Sequence, residues 1–102
     1  MLNYFIQCRD NKEKKVVFKE VKGYKLPYGF AAHKDLENNF WVLDDLNSGC
    51  VVKSGFPNYN NLKAFLENSD IIDKVVDRRK TQRYSNLVKR NREAVSEKVS
   101  LW

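Results

Sequence analysis

The sequence predicts an α+β domain, in which a mostly antiparallel sheet of four or five short strands is followed by two or three C-terminal helices packed on one side. Two observations predict this class. Apolar residues follow a strand-like period through most of residues 1–56, and a helical period from residue 57 onwards. The 102 residues, 42% hydrophobic and 31% charged, suit a single domain spanning 1–102, mainly β over 1–56 and helical over 57–102.

The first two strands are predicted as a hairpin. Apolar residues alternate with others from Leu2 to Cys8, which gives one apolar face. A polar turn at 9–12 follows, and residues 14–21 form a second run rich in valine. The two glycines and the proline within 23–29 then predict that the chain leaves the sheet in a loop.

Three further short strands are predicted. The first covers 30–33 and the second covers 40–44, with a polar turn between them. The sequence Asn47-Ser48-Gly49 predicts the next turn, because Asn and Gly tolerate positive φ. The last strand, at 50–53, is expected to end at Ser54-Gly55.

The helical half divides into segments. Asn58 is a candidate N-cap for a first helix, and Asn68-Ser69-Asp70 separates it from a second. The apolar face of the second helix is not continued after Val76, since the next stripe is rotated by roughly 150°. We therefore predict a break near 80–82, with Thr81 as a cap. That last stripe consists of Tyr84, Leu87, Val88, Val95 and Val99.

The residue types needed for catalysis or metal binding are sparse. His33 is the only histidine, and with Cys8 and Cys50 it lacks the spacing of a zinc site. Asp44 and Asp45 are adjacent, so in a strand they point to opposite faces and cannot act together. We expect a non-enzymatic protein without metal or cofactor, in which His33 is structural and the cysteines are small apolar residues in a reducing cytoplasm.

Charge is the most informative feature. Residues 1–77 contain eleven Lys or Arg and eleven Asp or Glu, so they are neutral overall. Residues 78–92 contain seven cations and no acid, and residues 93–102 add a net −1. The whole excess of +6 therefore comes from one segment. We call residues 78–92 the basic segment; its cations are Arg78, Arg79, Lys80, Arg83, Lys89, Arg90 and Arg92.

The basic segment is the candidate binding site. A helix with one face docked on the domain and the other cationic suits a phosphate backbone, and arginine binds phosphate or carboxylate with its planar fork. The alternatives are an acidic protein surface and a merely solvated helix face, although solvated helices usually mix charge signs. We expect no membrane segment or secretory signal. The terminal 99–102 is either a flap over the core or a homodimer contact.

One stretch carries a resemblance. The strand Phe40–Asp44, the turn Asn47-Ser48-Gly49, a second strand to Gly55 and the helix after it resemble a unit of small proteins of phages and mobile elements of Gram-positive bacteria. The same stretch is similar to the core of HicB-type antitoxins, which have a DNA-binding C-terminus. It lacks that family's proline before the turn glycine. The resemblance implies a binding protein that occupies a host surface, such as the nucleic-acid channel of a defence complex, or alternatively a HicB-like regulator.

Overall fold

Five antiparallel strands in sequential order form one sheet, and three helices follow it. The structure, a computed structural model, describes the backbone of residues 1–10 and 15–100 and the side chains of residues 1–7 and 17–93. The predicted α+β class is confirmed. The strands are β1 Leu2–Asp10, β2 Lys15–Lys25, β3 Phe30–Asp35, β4 Phe40–Asp45 and β5 Val51–Phe56. The helices are α1 Tyr59–Asn68, α2 Ile71–Arg78 and α3 Gln82–Ser100.

The β1–β2 hairpin forms as predicted, but β2 runs four residues beyond the predicted end, through Gly23 to Lys25. The prediction that Gly23 starts a loop is therefore wrong. Gly23 is paired with β1 on one side and β3 on the other. A Cβ at this position would lie 2.0 Å from the carbonyl oxygen of Ala32, so glycine here allows β3 to approach closely.

The last strand also continues through residues that were expected to end it. β5 extends over Ser54 and Gly55 to Phe56. Gly55 has φ of +87°, a backbone conformation that glycine adopts without steric cost. Between the two strands, Gly49 has φ of +72° in the turn after β4, as the Asn-Ser-Gly sequence predicts.

The sheet has an apolar cluster on each face. On one face, α1 and α2 cover residues of β3, β4 and β5; the cluster consists of Leu26, Phe30, Ala32, Leu43, Phe56, Leu62, Leu66 and Val75. On the other face, Tyr4 and Ile6 of β1 pack against Ala31 of β3. The sheet curls far enough for the backbone N–H of Gln7 in β1 to donate to the carbonyl of Gly49, at 2.7 Å.

The predicted helix boundaries are present, and the caps at Asn58 and Thr81 form, whereas the Asp70 side chain does not cap α2 as expected. The Asn58 side chain accepts a hydrogen bond from the Asn61 N–H, at 2.8 Å, and so caps α1. The chain breaks between α2 and α3, where the Thr81 hydroxyl accepts from the Tyr84 N–H, at 3.2 Å. The break lets α2 and α3 present their differently oriented apolar faces to the same domain.

Some predictions concern residues outside those described. The predicted turn at 9–12 includes residues 11 and 12, and the predicted flap or dimer contact at 99–102 includes residues 101 and 102. The side chains of Cys8, Val95 and Val99 also lie outside the described residues, whereas Cys50 is a partly buried free thiol.

Candidate nucleic-acid interface

The structure places the seven basic residues in two distinct environments. Six of them are exposed on α2, α3 and the connection between the helices: Arg78, Lys80, Arg83, Lys89, Arg90 and Arg92. One weak ion pair, 3.8 Å from Lys80 to Asp77, involves this set among the described residues. Arg79 differs from the other six, because its side chain is only 20% exposed and forms an ion pair within the protein.

Asp45, at the end of β4, holds the start of the basic segment. Its carboxylate accepts from the Nε and Nη2 of Arg79, at 3.1 and 2.7 Å, and from the Tyr84 hydroxyl, at 2.8 Å. The N–H and hydroxyl of Ser48 also donate to it. Burial, together with the hydrogen bond to Asp45, raises the pKa of Tyr84 to about 12. Arg79 and Tyr84 are thus fixed anchors on either side of the helix break.

Polar contacts fix α3 to the sheet further along its length. The Gln7 side-chain amide in β1 donates to the carbonyl of Leu87, at 3.2 Å. The buried Asn91 donates to the carbonyl of Asn47, at 3.0 Å. Leu87 and Val88 are half-buried, in agreement with the predicted docking stripe. The basic residues of α3 are therefore carried by a helix whose opposite side is held in place.

The exposed basic residues of α3 occupy two flanks of the helix. Helical geometry places Arg83 and Arg90, seven positions apart, on one flank, and Lys89 and Arg92 on the other. The second flank borders an open groove of about 640 Å³, which Arg79 and Tyr84 also line. The groove contains three cationic side chains and one acid, Glu93. Asp45 neutralises Arg79. The cations of the groove that remain available to a ligand are therefore Lys89 and Arg92.

His33 and the two adjacent aspartates lie in hydrogen-bonded environments. Asp44 and Asp45 point to opposite faces of β4, as predicted from their adjacency. Asp44 accepts from the Tyr4 hydroxyl, at 2.7 Å, and lies 2.5 Å from the Nδ1 of His33. Tyr4, His33 and Asp44 are all buried. Desolvation by burial raises the pKa of Asp44 despite its hydrogen bond with His33.

Sequence reasoning did not identify the anchors of the basic segment. Arg79 appeared equivalent to its neighbours, and Tyr84 was assigned to the apolar stripe. The signal available in the sequence was the position of Asp45, an acid directly before the Asn-Ser-Gly turn. A buried carboxylate at a turn needs donors from elsewhere in the chain, and Arg79 supplies two.

Comparisons and further searches give negative results. Comparison of the chain with protein-family models, curated proteins and solved structures finds no match. Within the residues that the structure describes, no cluster of three or more His, Cys, Asp or Glu side chains suits a metal ion. Over that same part of the chain, no helix is long and apolar enough to cross a membrane.

Proposed function

We propose that this protein is a non-enzymatic nucleic-acid-binding protein that contacts the phosphate backbone through the basic segment. The observation that carries the proposal is the exposure of six cationic side chains on the docked helix α3, on the connection before it and at the end of α2. Each phosphate neutralised by such a side chain releases a bound counterion, which favours association. The anchors at Asp45 and Asn91 hold this surface in a defined orientation before binding.

The distribution of charge supports a specific face over a generally basic protein. The 77 residues that precede the basic segment have no net charge. A field concentrated on one helix attracts a polyanion to that helix and orients it during encounter.

The test is binding of labelled single-stranded and duplex oligonucleotides over a range of NaCl concentrations. Two variants each remove two charges from α3: Arg83→Gln with Arg90→Gln, and Lys89→Gln with Arg92→Gln. A control, Lys22→Gln with Lys34→Gln, removes two exposed charges from the sheet. The α3 variants are expected to weaken binding about tenfold at low salt and to reduce the slope of log Kd against log salt by about one to two.

The control variant is expected to bind like the unmodified protein. Equal loss in all three variants would show that net charge alone governs binding, and would contradict a face on α3. A salt-independent affinity would overturn the proposal. No binding to either oligonucleotide at low salt would also overturn it, and would favour an acidic protein partner.

The resemblance to proteins of phages and mobile elements adds a setting to this proposal. A small basic protein that occupies guide RNA or target DNA in a host defence complex would inhibit that complex. In this setting the chain is captured with a nucleoprotein complex from host extract, and nuclease treatment releases it. Capture that resists nuclease would favour a direct protein contact instead.

A further inference from the structure

Three aromatic side chains from different elements meet near the surface of the sheet. The rings of Tyr24 in β2 and Trp41 in β4 are stacked, with centroids 6.0 Å apart and an angle of 23° between the ring planes. Tyr59 of α1 contacts both, with centroids at 5.3 and 5.1 Å. Tyr24 is 42% exposed, so the cluster presents aromatic surface to solvent.

Tyr59 also belongs to a second aromatic feature, an open pocket of about 500 Å³. Tyr28 lines the same pocket, and this residue is 65% exposed. Two lysines, Lys25 and Lys63, border the pocket together with one acid, Glu67. A pocket with aromatic walls, an apolar base and excess positive charge at its rim suits a flat anionic ligand.

The backbone holds Tyr28 in an unfavourable conformation. Its φ of +62° lies in the left-handed region, which costs a residue with a side chain about 1 kcal/mol or more. Arg79 fixes this conformation by donating from Nη1 to the Tyr28 carbonyl, at 2.5 Å. Because the exposed ring gains little from folding, its fixed position in a strained turn points to a role in binding.

Arg79 connects the pocket to the groove on α3. Its guanidinium contacts the backbone of Tyr28 on one side, and its side chain lines the groove of Lys89 and Arg92 on the other. Aromatic surface and cationic surface are therefore adjacent. We call Tyr24, Tyr59 and Tyr28 the aromatic track. It leads towards the basic segment, and Arg79 lies between the two.

We infer that the aromatic track binds the bases of single-stranded nucleic acid by stacking, while Lys25, Lys63 and the α3 groove contact its phosphates. This inference rests on the proposed function and specifies its ligand class. In a duplex the faces of the bases are covered by neighbouring base pairs, whereas a single strand leaves them free to stack on aromatic side chains. Stacking tolerates any base, so binding without sequence preference is expected.

The test separates bases from phosphates with two probes. One is a labelled oligothymidylate, and the other is an abasic oligonucleotide of the same length, which keeps the phosphates but has no bases. The unmodified protein is expected to bind oligothymidylate about tenfold more tightly than the abasic strand. Tyr28→Gly removes the ring and suits the positive φ, so its folding is not at risk from strain. It is expected to reduce the difference between the probes, since Tyr24 and Tyr59 remain.

Two matched variants complete the design. Tyr28→Phe keeps the ring and is expected to retain the preference for oligothymidylate. Lys89→Gln with Arg92→Gln is expected to weaken both probes equally, because it removes only phosphate contacts.

The inference and the proposed function fail in different ways. Equal binding of both probes to the unmodified protein, or a preference that is undiminished in Tyr28→Gly, would overturn the aromatic track alone. Tighter binding of duplex than of single strand would do the same. Absence of binding to either probe and to duplex at low salt would overturn the proposed function, and with it the inference.

Discussion

At the scale of single residues, Arg79 contributes to folding while its basic neighbours remain available to a partner. Its guanidinium is bonded to Asp45 and to the Tyr28 carbonyl, and it lies over the Phe30 ring, 5.0 Å from the centroid. Replacing Arg79 with alanine would leave the buried Asp45 without its main counter-charge. We expect the free energy of unfolding to fall by about 3 kcal/mol, measured by urea denaturation.

Arg83 provides the matched control for that experiment. It lies on the same segment but is exposed, so Arg83→Ala is expected to change the free energy of unfolding by less than about 0.5 kcal/mol. Equal effects of the two substitutions would contradict the assignment of Arg79 as an anchor.

The buried cluster of Tyr4, His33 and Asp44 makes a pH-dependent contribution to stability. Burial raises the pKa of Asp44 above its ordinary value of 3.8, so the folded protein binds this proton more tightly than the unfolded chain. The stabilisation that this proton provides is therefore fully present below the pKa of Asp44 in the unfolded chain. It is lost as pH rises through the pKa of Asp44 in the folded protein. Asp44→Asn removes the titrating group. We expect the unfolding free energy of the unmodified protein, minus that of the variant, to decrease from pH 4 to pH 7.

Urea denaturation at several pH values measures this difference. The groups that face the Asp44 carboxyl are His33 and Tyr4, and the charge of Asp45 acts in the same direction as burial. An increase of the difference with pH would contradict the expected direction. It would mean that the interaction of Asp44 with His33 outweighs desolvation.

At the scale of elements, the sequence predicted the type of the strands and helices and their succession along the chain from periodicity, turn residues and caps. The break at Thr81 was predictable because two apolar stripes on one straight helix cannot dock on the same domain. The ends of β2 and β5 were not predictable, because Gly23 and Gly55 are glycines, a residue type that is typical of turns. Their roles depend on the approach of β3 and on a local backbone conformation. For Gly23 that information lies in the neighbouring strand β3 and not in the segment itself.

The candidate site also has one part that the sequence predicted and another part that it did not. The charge of the basic segment is a property of contiguous residues, so the sequence showed it directly. The Arg79–Asp45 pair joins residues 34 positions apart, and the contact of Tyr24 with Tyr59 also joins distant elements. No local pattern connects these pairs, because they meet only when α1 and α2 fold onto the sheet.

At the scale of the whole molecule, the uneven charge sets two opposite responses to salt. The excess of +6 is confined to one helical region, where like charges repel each other and few described acids compensate them. Salt screens this repulsion over a Debye length of about 10 Å at 0.1 M. We therefore expect the free energy of unfolding to increase between low and moderate NaCl, while affinity for nucleic acid decreases over the same range.

Parallel urea denaturation and oligonucleotide titrations at matched NaCl concentrations measure both responses. Arg83→Gln with Arg90→Gln is expected to flatten both, because the same side chains repel one another in the free protein and contact phosphates in the complex. Lys22→Gln with Lys34→Gln should leave both unchanged. A free energy of unfolding that falls with added NaCl would mean that attractive ion pairs dominate the surface. The basic segment would then be a compensated part of the fold, without the unpaired charge that a polyanion requires.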